Sequence, residues 1–220
     1  PDTWTQGIPE NSDEYTVWQN EEGDGSSVTL KGVGSYFQTK TISVSTRSDA
    51  KLKDVQLTTD RGEVSTSIAN GIYDVSVTST PDQATGALTY DNSGSTKAIS
   101  SQDALDALKL SVGLATSAGT KTAFDYISAD FNQDGKVSSQ DALSILKYSV
   151  GLTTPEQAQW VFVDTNGDYS GVSKSNTSYT NGAAISDLSE NTSLSLTGIL
   201  IGDVNDSYSG SIQNAPSLTA

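Results

Sequence analysis

The first third of the chain alternates apolar and polar residues in short runs separated by Gly, Asp and Ser. This period of two is typical of β-strands with one buried face. The predicted strands are residues 28–30, 41–45, 54–57, 64–68 and 72–77. The side chains expected to point inward are Ile42, Val44, Val55, Leu57, Val75 and Val77. We therefore predict a β-sandwich-like region over residues 27–85, preceded by a segment, residues 1–26, whose packing the pattern does not define.

Further along, the hydrophobic period becomes helical, and a unit of sixteen residues occurs twice. Residues 99–114 read ISSQDALDALKLSVGL and residues 137–152 read VSSQDALSILKYSVGL, with twelve of the sixteen positions identical. Each copy starts with a Ser-x-x-Asp capping pattern and ends on Gly, which predicts one helix per copy. We expect the apolar faces of the two helices to pack together. These faces comprise Ala104, Leu105, Leu108 and Val112 in the first copy and Ala142, Leu143, Leu146 and Val150 in the second.

The segment that enters the second helix carries oxygen donors at the spacing of an EF-hand calcium loop. Loop positions 1, 3, 5, 7 (through its carbonyl) and 12 are Asp130, Asn132, Asp134, Lys136 and Asp141. Gly135 occupies position 6, where the loop must turn sharply. An Asx-rich surface turn is the simpler explanation, but turn chemistry needs fewer matched positions. The segment therefore predicts a calcium site.

The stretch before the first helix matches this pattern less well. Asp103 is the equivalent of Asp141, but Lys97 stands where the loop Gly is expected, and the upstream oxygen donors are Asp91 and Ser93. We expect a distorted calcium loop formed by Asp91, Ser93 and Asp103. The alternative is a metal-free loop that has kept its helix.

Two more acidic turns follow predicted strands in the final region, residues 155–220. Asp164, Asn166 and Asp168 follow the apolar run 160–163, and Asp203 and Asn205 follow the apolar run 196–201. Both turns are candidate calcium sites because their oxygens recur at alternate positions. Plain Asx turns at strand ends are the competing interpretation.

The composition supports cation binding and excludes several chemistries. Of the 27 acidic residues, 20 are Asp and 7 are Glu, and the formal net charge is -15. The sequence has no His, Cys or Met, which excludes Ser-His-Asp or Cys-His catalysis and zinc sites built on imidazole or thiolate. Clustered carboxylates repel one another, so bound cations should stabilise the fold. The negative charge argues against nucleic-acid partners.

Enzymatic activity and membrane insertion have little support. Paired carboxylates suited to glycoside chemistry are available, yet every well-patterned carboxylate is accounted for as a calcium ligand. No apolar run of eighteen residues occurs, so we expect no membrane insertion. Because the sequence begins with Pro1 and not Met, we expect a monomeric module within a longer chain.

The run from residue 129 to residue 141, with Asp and not Glu at position 12, resembles dockerin. Dockerins are paired calcium-loop and helix modules that bind cohesin partners in bacterial cellulosomes and occur in other surface proteins. The resemblance covers residues 86–154 as a dockerin-like helix pair. The later segment IGDVNDSY (residues 201–208), following such a pair, resembles the ends of large calcium-dependent bacterial adhesins, most of all the peptide-binding domain of RTX adhesins.

These resemblances imply an α+β fold with a β-sandwich-like front, a dockerin-like helix pair and a strand-rich extension that packs back as one ligand-binding module. They also imply several bound Ca²⁺ ions and an extracellular place on the bacterial cell surface. The implied function is adhesion, in which the module binds a protein or peptide on another cell. The contact is made through the free C-terminal carboxylate of that partner. The candidate aromatic wall residues, each equally compatible with a core role, are Tyr126, Tyr148, Trp160, Tyr169 and Tyr208. The alternatives are a cohesin-binding dockerin and a calcium-stiffened structural spacer.

Overall fold

A computed structural model of the chain describes residues 5–7, 14–18, 27–31, 38–61, 66–77, 80–92, 97–186 and 193–208. The chain divides into two compact units, Pro1–Phe37 and Gln38–Ala220. In the first unit, three antiparallel strands pair in the order β1 (Thr5–Gly7), β2 (Glu14–Trp18) and β3 (Ser27–Lys31). The predicted strand at residues 28–30 is confirmed as β3, and it belongs to this first unit.

The second unit contains a five-stranded sheet. Its order is β6 (Thr66–Ala69), β7 (Ile72–Val77), β4 (Gln38–Thr46), β11 (Leu194–Leu200) and β9 (Trp160–Asp164). The β4–β11 pair is parallel and the other neighbours are antiparallel. Strands that precede the helices in sequence therefore share one sheet with strands that follow them.

A second, antiparallel sheet lies against the first. Its order is β10 (Ala183–Ile185), β8 (Asp82–Ala87) and β5 (Gln56–Thr59). Gly86 in β8 lies beneath the ring of Phe162 in β9, and a Cβ at this position would come within 2.7 Å of that ring. The core between the strands contains the side chains that the alternation predicted to point inward, namely Ile42, Val44, Val55, Leu57, Val75 and Val77.

Three helices lie between β8 and β9 in sequence: α1 (Ser101–Ser111), α2 (Ala123–Ala129) and α3 (Ser139–Ser149). The α1 and α3 helices confirm the helices predicted from the repeat, and both start with a capping box at the predicted Ser and Asp. Gly113 and Gly151 follow the two helices with φ of 83° and 77°, the left-handed conformation of a C-terminal stop. The mixed α+β class is therefore correct.

The predicted helix faces are correct for Ala104 and Ala142, which are buried, and wrong for their Leu and Val members, which are exposed. The side chains buried in the core are Ala104, Ala107 and Leu110 of α1 and Ala142 and Ile145 of α3. The α1 and α3 helices contact each other. The larger Leu and Val side chains of the repeat are 41% to 64% exposed. Among the helices that the structure describes, none is long and apolar enough to cross a membrane.

Candidate metal centre

The Asp130 loop connects α2 to α3 and folds back onto the first turn of α3. Asp130 is the C-cap residue of α2, and Asp141 is the acidic residue of the first turn of α3. Both carboxylates are buried. The backbone N–H of Asn132 donates to Asp141 Oδ1 at 3.1 Å, which joins loop position 3 to position 12. The structure therefore brings the start and the end of the predicted loop together.

The Asp130 carboxylate organises the turn of this loop. Its Oδ1 accepts a hydrogen bond from the N–H of Asp134 at 3.1 Å, and its Oδ2 accepts one from the N–H of Gly135 at 3.0 Å. Gln133 and Gly135 have φ of 55° and 90°, so the chain turns sharply at the position predicted for the loop Gly. Burial raises the pKa of Asp130, and the nearby charge of Asp141 raises it further, although hydrogen bonds to its carboxylate act in the opposite direction.

The remaining donors of the loop are an amide, a carboxylate and a carbonyl. Asn132 Oδ1 accepts from the N–H of Asp134 at 3.0 Å, and Asp134 Oδ1 accepts from the N–H of Lys136 at 3.3 Å. Lys136 Nζ lies 3.5 Å from Asp134 Oδ2 on the surface. All donors are hard oxygens, and this is the chemistry that Ca²⁺ prefers. The residues of this loop therefore fit a calcium ion.

A preassembled cage of acidic side chains is not present in the part of the chain that the structure describes. No group of three or more His, Cys, Asp or Glu side chains there is arranged to hold a metal ion. The Asp130 loop combines carboxylates with amide and carbonyl oxygens, and its carboxylates are engaged by backbone N–H groups.

Asp103, the equivalent of Asp141, has Asn205 as its neighbour. Asp103 is fully buried in the first turn of α1, and its Oδ1 accepts a hydrogen bond from the N–H of Asn205 at 3.1 Å. Asp203 is also buried, and this burial, together with the charge of Asp103, raises the pKa of Asp203 to about 7. The structure thus gathers three predicted ligands that the sequence pattern assigns to two separate loops.

Asp91 and Ser93 are the two upstream oxygen donors predicted to form a calcium loop with Asp103. Asp91 is exposed, and its charge raises the pKa of the nearby Tyr148, after burial as the larger cause. Ser93 lies outside the described residues. Calcium ligation by Asp91 and Ser93 therefore stays a prediction.

The acidic turn after β9 is exposed and has the hydrogen bonds of consecutive Asx turns. The N–H of Asn166 donates to Asp164 Oδ1 at 2.8 Å, and the N–H of Ser170 donates to Asp168 Oδ1 at 2.9 Å. The bond from Ser170 holds the pKa of Asp168 below its usual range. A cavity of about 410 Å³ borders this turn. Its lining includes Asp164, Asp168, Tyr169, Ser178, Tyr179 and Thr180.

Two contributors to these sites were not predicted from the sequence. Arg47 donates to Asp125 Oδ1 at 2.9 Å and to the carbonyl oxygen of Asp203 at 2.8 Å, which ties α2 to the Asp203 turn. Thr177 donates through its hydroxyl to Asp130 Oδ2. Both residues are far from their partners in sequence, so no local pattern could identify them. The Thr122 and Asp125 capping box, by contrast, is a local signal for α2 that the sequence analysis did not use.

Most of the candidate wall residues pack against other aromatic rings. Tyr148 lies 5.5 Å from Phe131 between ring centroids, and Tyr169 lies 5.0 Å from Phe124. Trp160 and Tyr208 meet edge to face at 4.9 Å. Tyr126 is partly buried against the core. These contacts favour the core role for all five residues, and only Tyr169 also lines the cavity beside Asp164.

The outer sides of α1 and α3 carry a duplicated row of exposed apolar side chains, which we call the exposed helix face. Each position in the first repeat has its counterpart in the second, and the exposed fractions range from 41% to 64%. The pairs are Leu105 with Leu143, Leu108 with Leu146, Val112 with Val150, and Leu114 with Leu152. Both helices of this face begin at a candidate calcium-ligating carboxylate, Asp103 or Asp141.

Comparison with known proteins identifies no relative. No protein-family model matches the chain, no curated protein matches its sequence, and no solved structure matches it.

Proposed function

We propose that this chain is a calcium-dependent, non-enzymatic protein-binding module of the bacterial cell surface, and that its partner docks on the exposed helix face. The observation that carries the proposal is the set of eight large apolar side chains, 41% to 64% exposed, that occur as four equivalent pairs. Large contiguous apolar patches on soluble proteins mark interaction sites. Full burial of an exposed Leu or Val contributes about 1.5–3 kcal/mol, and because these side chains are 41% to 64% exposed, covering each contributes about half of that. Several of them together can anchor an interface.

The proposed role of calcium is to fix the first turns of the two helices. Asp103 and Asp141 are each the N3 residue of a capping box, and each accepts a hydrogen bond from the N–H of an Asn in an acidic turn. An ion held by these groups would join each helix start to its loop. The exposed helix face would then be presented in one fixed geometry, which lowers the ordering cost of binding.

The occupant we propose is a folded domain of the cohesin type. The repeat resembles dockerin, and the Leu and Val side chains of the exposed helix face stay 41% to 64% exposed beside the described part of the extension. A second copy of this chain is a less suitable occupant, because each copy carries a formal net charge of -15 and the two would repel each other. The experiment must therefore distinguish self-association from the binding of a cohesin-type domain.

The test is binding of immobilised cohesin domains, in calcium and in chelator, by the wild type and by variants that introduce negative charge into the face. We expect calcium-dependent binding that Leu143→Asp/Leu146→Asp and Leu105→Asp/Leu108→Asp weaken singly and abolish together. The matched control is Lys53→Asp, in an exposed loop outside the helices, because it changes the net charge by the same amount as either double variant. Unchanged binding by the combined variant would remove the face from the interface. Dimerisation in calcium that the same variants abolish would identify a second copy as the occupant.

A second candidate function is the grip of a peptide C-terminus, as the adhesin resemblance implies. The observation that favours it is the cavity of about 410 Å³ lined by Asp164, Asp168, Tyr169 and Tyr179. Two Asp residues repel a peptide carboxylate, so a bound cation is needed to join them to it. Tyr rings and the Ser178 and Thr180 hydroxyls would contact the adjoining residues.

This second candidate is tested by thermal unfolding in calcium with short peptides whose C-termini are free or amidated. A rise in melting temperature that amidation and Asp168→Asn both abolish would support the peptide-binding function. Equal responses to free and amidated peptides would reject it. The helix-face variants serve as controls, because they lie on α1 and α3 and not on the lining of this cavity.

A further inference from the structure

We propose that the Asp203 turn and the start of α1 together form a second calcium site, whose loop is split between two distant segments of the chain. The ligands are the side-chain oxygens of Asp203, Asn205 and Ser207, the carbonyl oxygen of Ala98, and the carboxylate of Asp103. The inference rests on the calcium dependence of the proposed function but assigns a different site, with a ligand set that the sequence pattern does not reveal.

The Asp203 turn has the same hydrogen bonds as the start of the Asp130 loop. Asp203 Oδ1 accepts from the N–H of Ser207 at 2.9 Å, and its Oδ2 accepts from the N–H of Tyr208 at 3.0 Å. Asp130 accepts from the residues four and five positions later in the same order. The fourth residue of each turn is left-handed, with φ of 53° at Asp206 and 55° at Gln133. The two turns therefore share the two backbone hydrogen bonds to the carboxylate at position 1 and the left-handed residue at position 4.

The closure onto the helix also matches. The N–H of Asn205 donates to Asp103 Oδ1 at 3.1 Å, as the N–H of Asn132 donates to Asp141 Oδ1 at 3.1 Å. The other oxygen of Asp103 accepts from the N–H and the hydroxyl of Ser100, each at 2.9 Å. Ser138 makes the same two bonds to Asp141 at the same distances. Position 12 of the split loop is thus supplied by the equivalent carboxylate.

The two halves of the split loop meet where position 5 adjoins position 7. Ser207 Oγ donates to the carbonyl oxygen of Ala98 at 2.9 Å. Ala98 stands one residue before Ile99 in the first repeat, as Lys136 stands one residue before Val137 in the second. Ala98 is therefore the equivalent of the residue whose carbonyl supplies position 7 in the Asp130 loop. Positions 6 and 7 of the split loop belong to distant segments of the chain, yet Ser207 Oγ and the carbonyl oxygen of Ala98 are adjacent.

A buried side-chain oxygen in this turn supports cation binding independently of the matching geometry. Asn205 Oδ1 is buried and has no hydrogen-bond partner among the residues that the structure describes. Its counterpart, Asn132 Oδ1, accepts from the N–H of Asp134. A buried acceptor without a partner is costly, and each such group needs a physical explanation. A cation coordinated by Asn205, at position 3 of the split loop, satisfies this oxygen and also offsets the charges of the buried Asp103 and Asp203.

The split site is expected to bind calcium more weakly than the Asp130 loop. It holds two carboxylates, Asp103 and Asp203, because Ser207 stands where the contiguous loop has Asp134, and calcium affinity depends on the number of charged ligands. The ion would also connect the segment after β11 to the first turn of α1. Calcium at this site therefore fastens the C-terminal extension beneath one half of the exposed helix face.

Asn205→Ala is the most selective test. The structure gives the Asn205 side chain no hydrogen bond through Oδ1, while the backbone N–H bond to Asp103 is independent of the side chain. The change therefore removes a proposed ligand and leaves that closing bond in place. We would measure calcium stoichiometry by titration calorimetry, from calcium-free protein, for the wild type, Asn205→Ala, Asp134→Ala and Asn70→Ala. Asn70 lies in the exposed turn between β6 and β7 and serves as the matched control.

The expected result is at least two ions for the wild type and Asn70→Ala, with one ion fewer in Asn205→Ala and a different ion lost in Asp134→Ala. Unchanged stoichiometry and affinity in Asn205→Ala, with an ion lost in Asp134→Ala, would overturn the split site and leave the Asp130 loop in place. No calcium binding by the wild type would overturn both. The docking of cohesin domains is read separately, so failure of the partner proposal does not affect this test.

Discussion

Each of the two repeats forms a helix that starts with the same capping box. The acidic turn that contacts each helix start comes from a different part of the chain. The α3 helix receives the turn that directly precedes it, Asp130 to Asp134, whereas α1 receives a turn that follows β11, Asp203 to Ser207. The hydrogen bonds of the two junctions nevertheless agree to within about 0.2 Å. The arrangement therefore depends on the local turn and the capping carboxylate, and a continuous chain between them is not required.

The two junctions differ most in charge. The contiguous turn has Asp134 and Gly135 at positions 5 and 6, and the distant turn has Ser207 and Tyr208. Tyr208 packs edge to face on Trp160, so its ring fixes the distant turn to β9. At the proposed ligand positions the contiguous loop therefore has one more carboxylate, while Asp206, at position 4 of the distant turn, is ion-paired with Arg47. The position of the split loop is also set by the packing of Tyr208.

Removal of calcium from both junctions is expected to cause the largest loss of stability. At a free calcium concentration 100 times each dissociation constant, two independent sites add about 5 kcal/mol to the free energy of unfolding. We expect a large fall in melting temperature when calcium is replaced by chelator. Sodium chloride at equal ionic strength is the control for simple charge screening. An unchanged melting temperature would contradict calcium binding at either junction.

The next largest effect is expected from Asp134→Ala, which removes a ligand and a charge from the contiguous loop only. Complete loss of that site costs about 2.7 kcal/mol of calcium-dependent stability at 100 times the dissociation constant. The shift between calcium and chelator, followed by thermal unfolding, should fall by more than half, because the remaining split site binds calcium more weakly. Asp60→Ala is the matched control, since it removes an exposed Asp from the turn after β5. Equal behaviour of the two variants would remove the Asp130 loop assignment.

A third difference between the repeats is Asp106 in α1, where α3 has Ser144. Burial alone would raise the pKa of Asp106, but hydrogen bonds from the side chain and backbone of Ser117, and from Lys109 and Gln102, together lower it. Asp106→Asn should cost about 2 kcal/mol at neutral pH, the usual scale for hydrogen bonds to a charged group.

The pH dependence of that loss has a defined sign. Because the folded pKa of Asp106 is lower than the unfolded value of about 3.9, its contribution is present above that value and disappears as pH falls through the folded pKa. Denaturant unfolding of both proteins between neutral and acidic pH should therefore show a difference in free energy that narrows only below about pH 4. A difference that is the same at every pH would contradict the charged role of Asp106.

The smallest expected effect is that of Ser207→Ala in the split loop. It removes the hydroxyl bond to the carbonyl of Ala98, which contributes about 1 kcal/mol, and one neutral ligand. Calcium titration should show weaker binding at the second step only. Ser175→Ala, at an exposed serine, is the control. Weakening of the first step instead would mean that the two loops are not independent.

Local patterns in the sequence predicted much of the fold. Alternation identified β4, β5 and β7 with their buried sides, and the repeat identified α1 and α3 with their caps and terminal glycines. β8, with the sequence DQATGA, was missed because it has almost no apolar signal. The parallel pairing of β4 with β11 depends on contacts between distant segments, so no local pattern encodes it.

The candidate site was predictable only where its residues are close in sequence. The contiguous loop was predicted residue by residue, because all its donors lie between Asp130 and Asp141. Asp103, Asp203 and Asn205 were each identified as candidate ligands, but their association was not, because it follows from the path of β11. The helical period predicted that Leu105 and Leu108 face the core, but Ala104, Ala107 and Leu110 are buried instead, because both sides of the helix carry apolar residues at helical spacing.

The most direct test of calcium at both helix junctions is the anomalous difference density of crystals grown in calcium. We expect two separate peaks, one within about 2.3–2.6 Å of oxygens from Asp130 and Asp141 and one at the same range from Asp203 and Asp103. A peak at only the first position would leave α1 without its ion. Density at neither position, in crystals that retain the fold, would contradict calcium as the organiser of the exposed helix face.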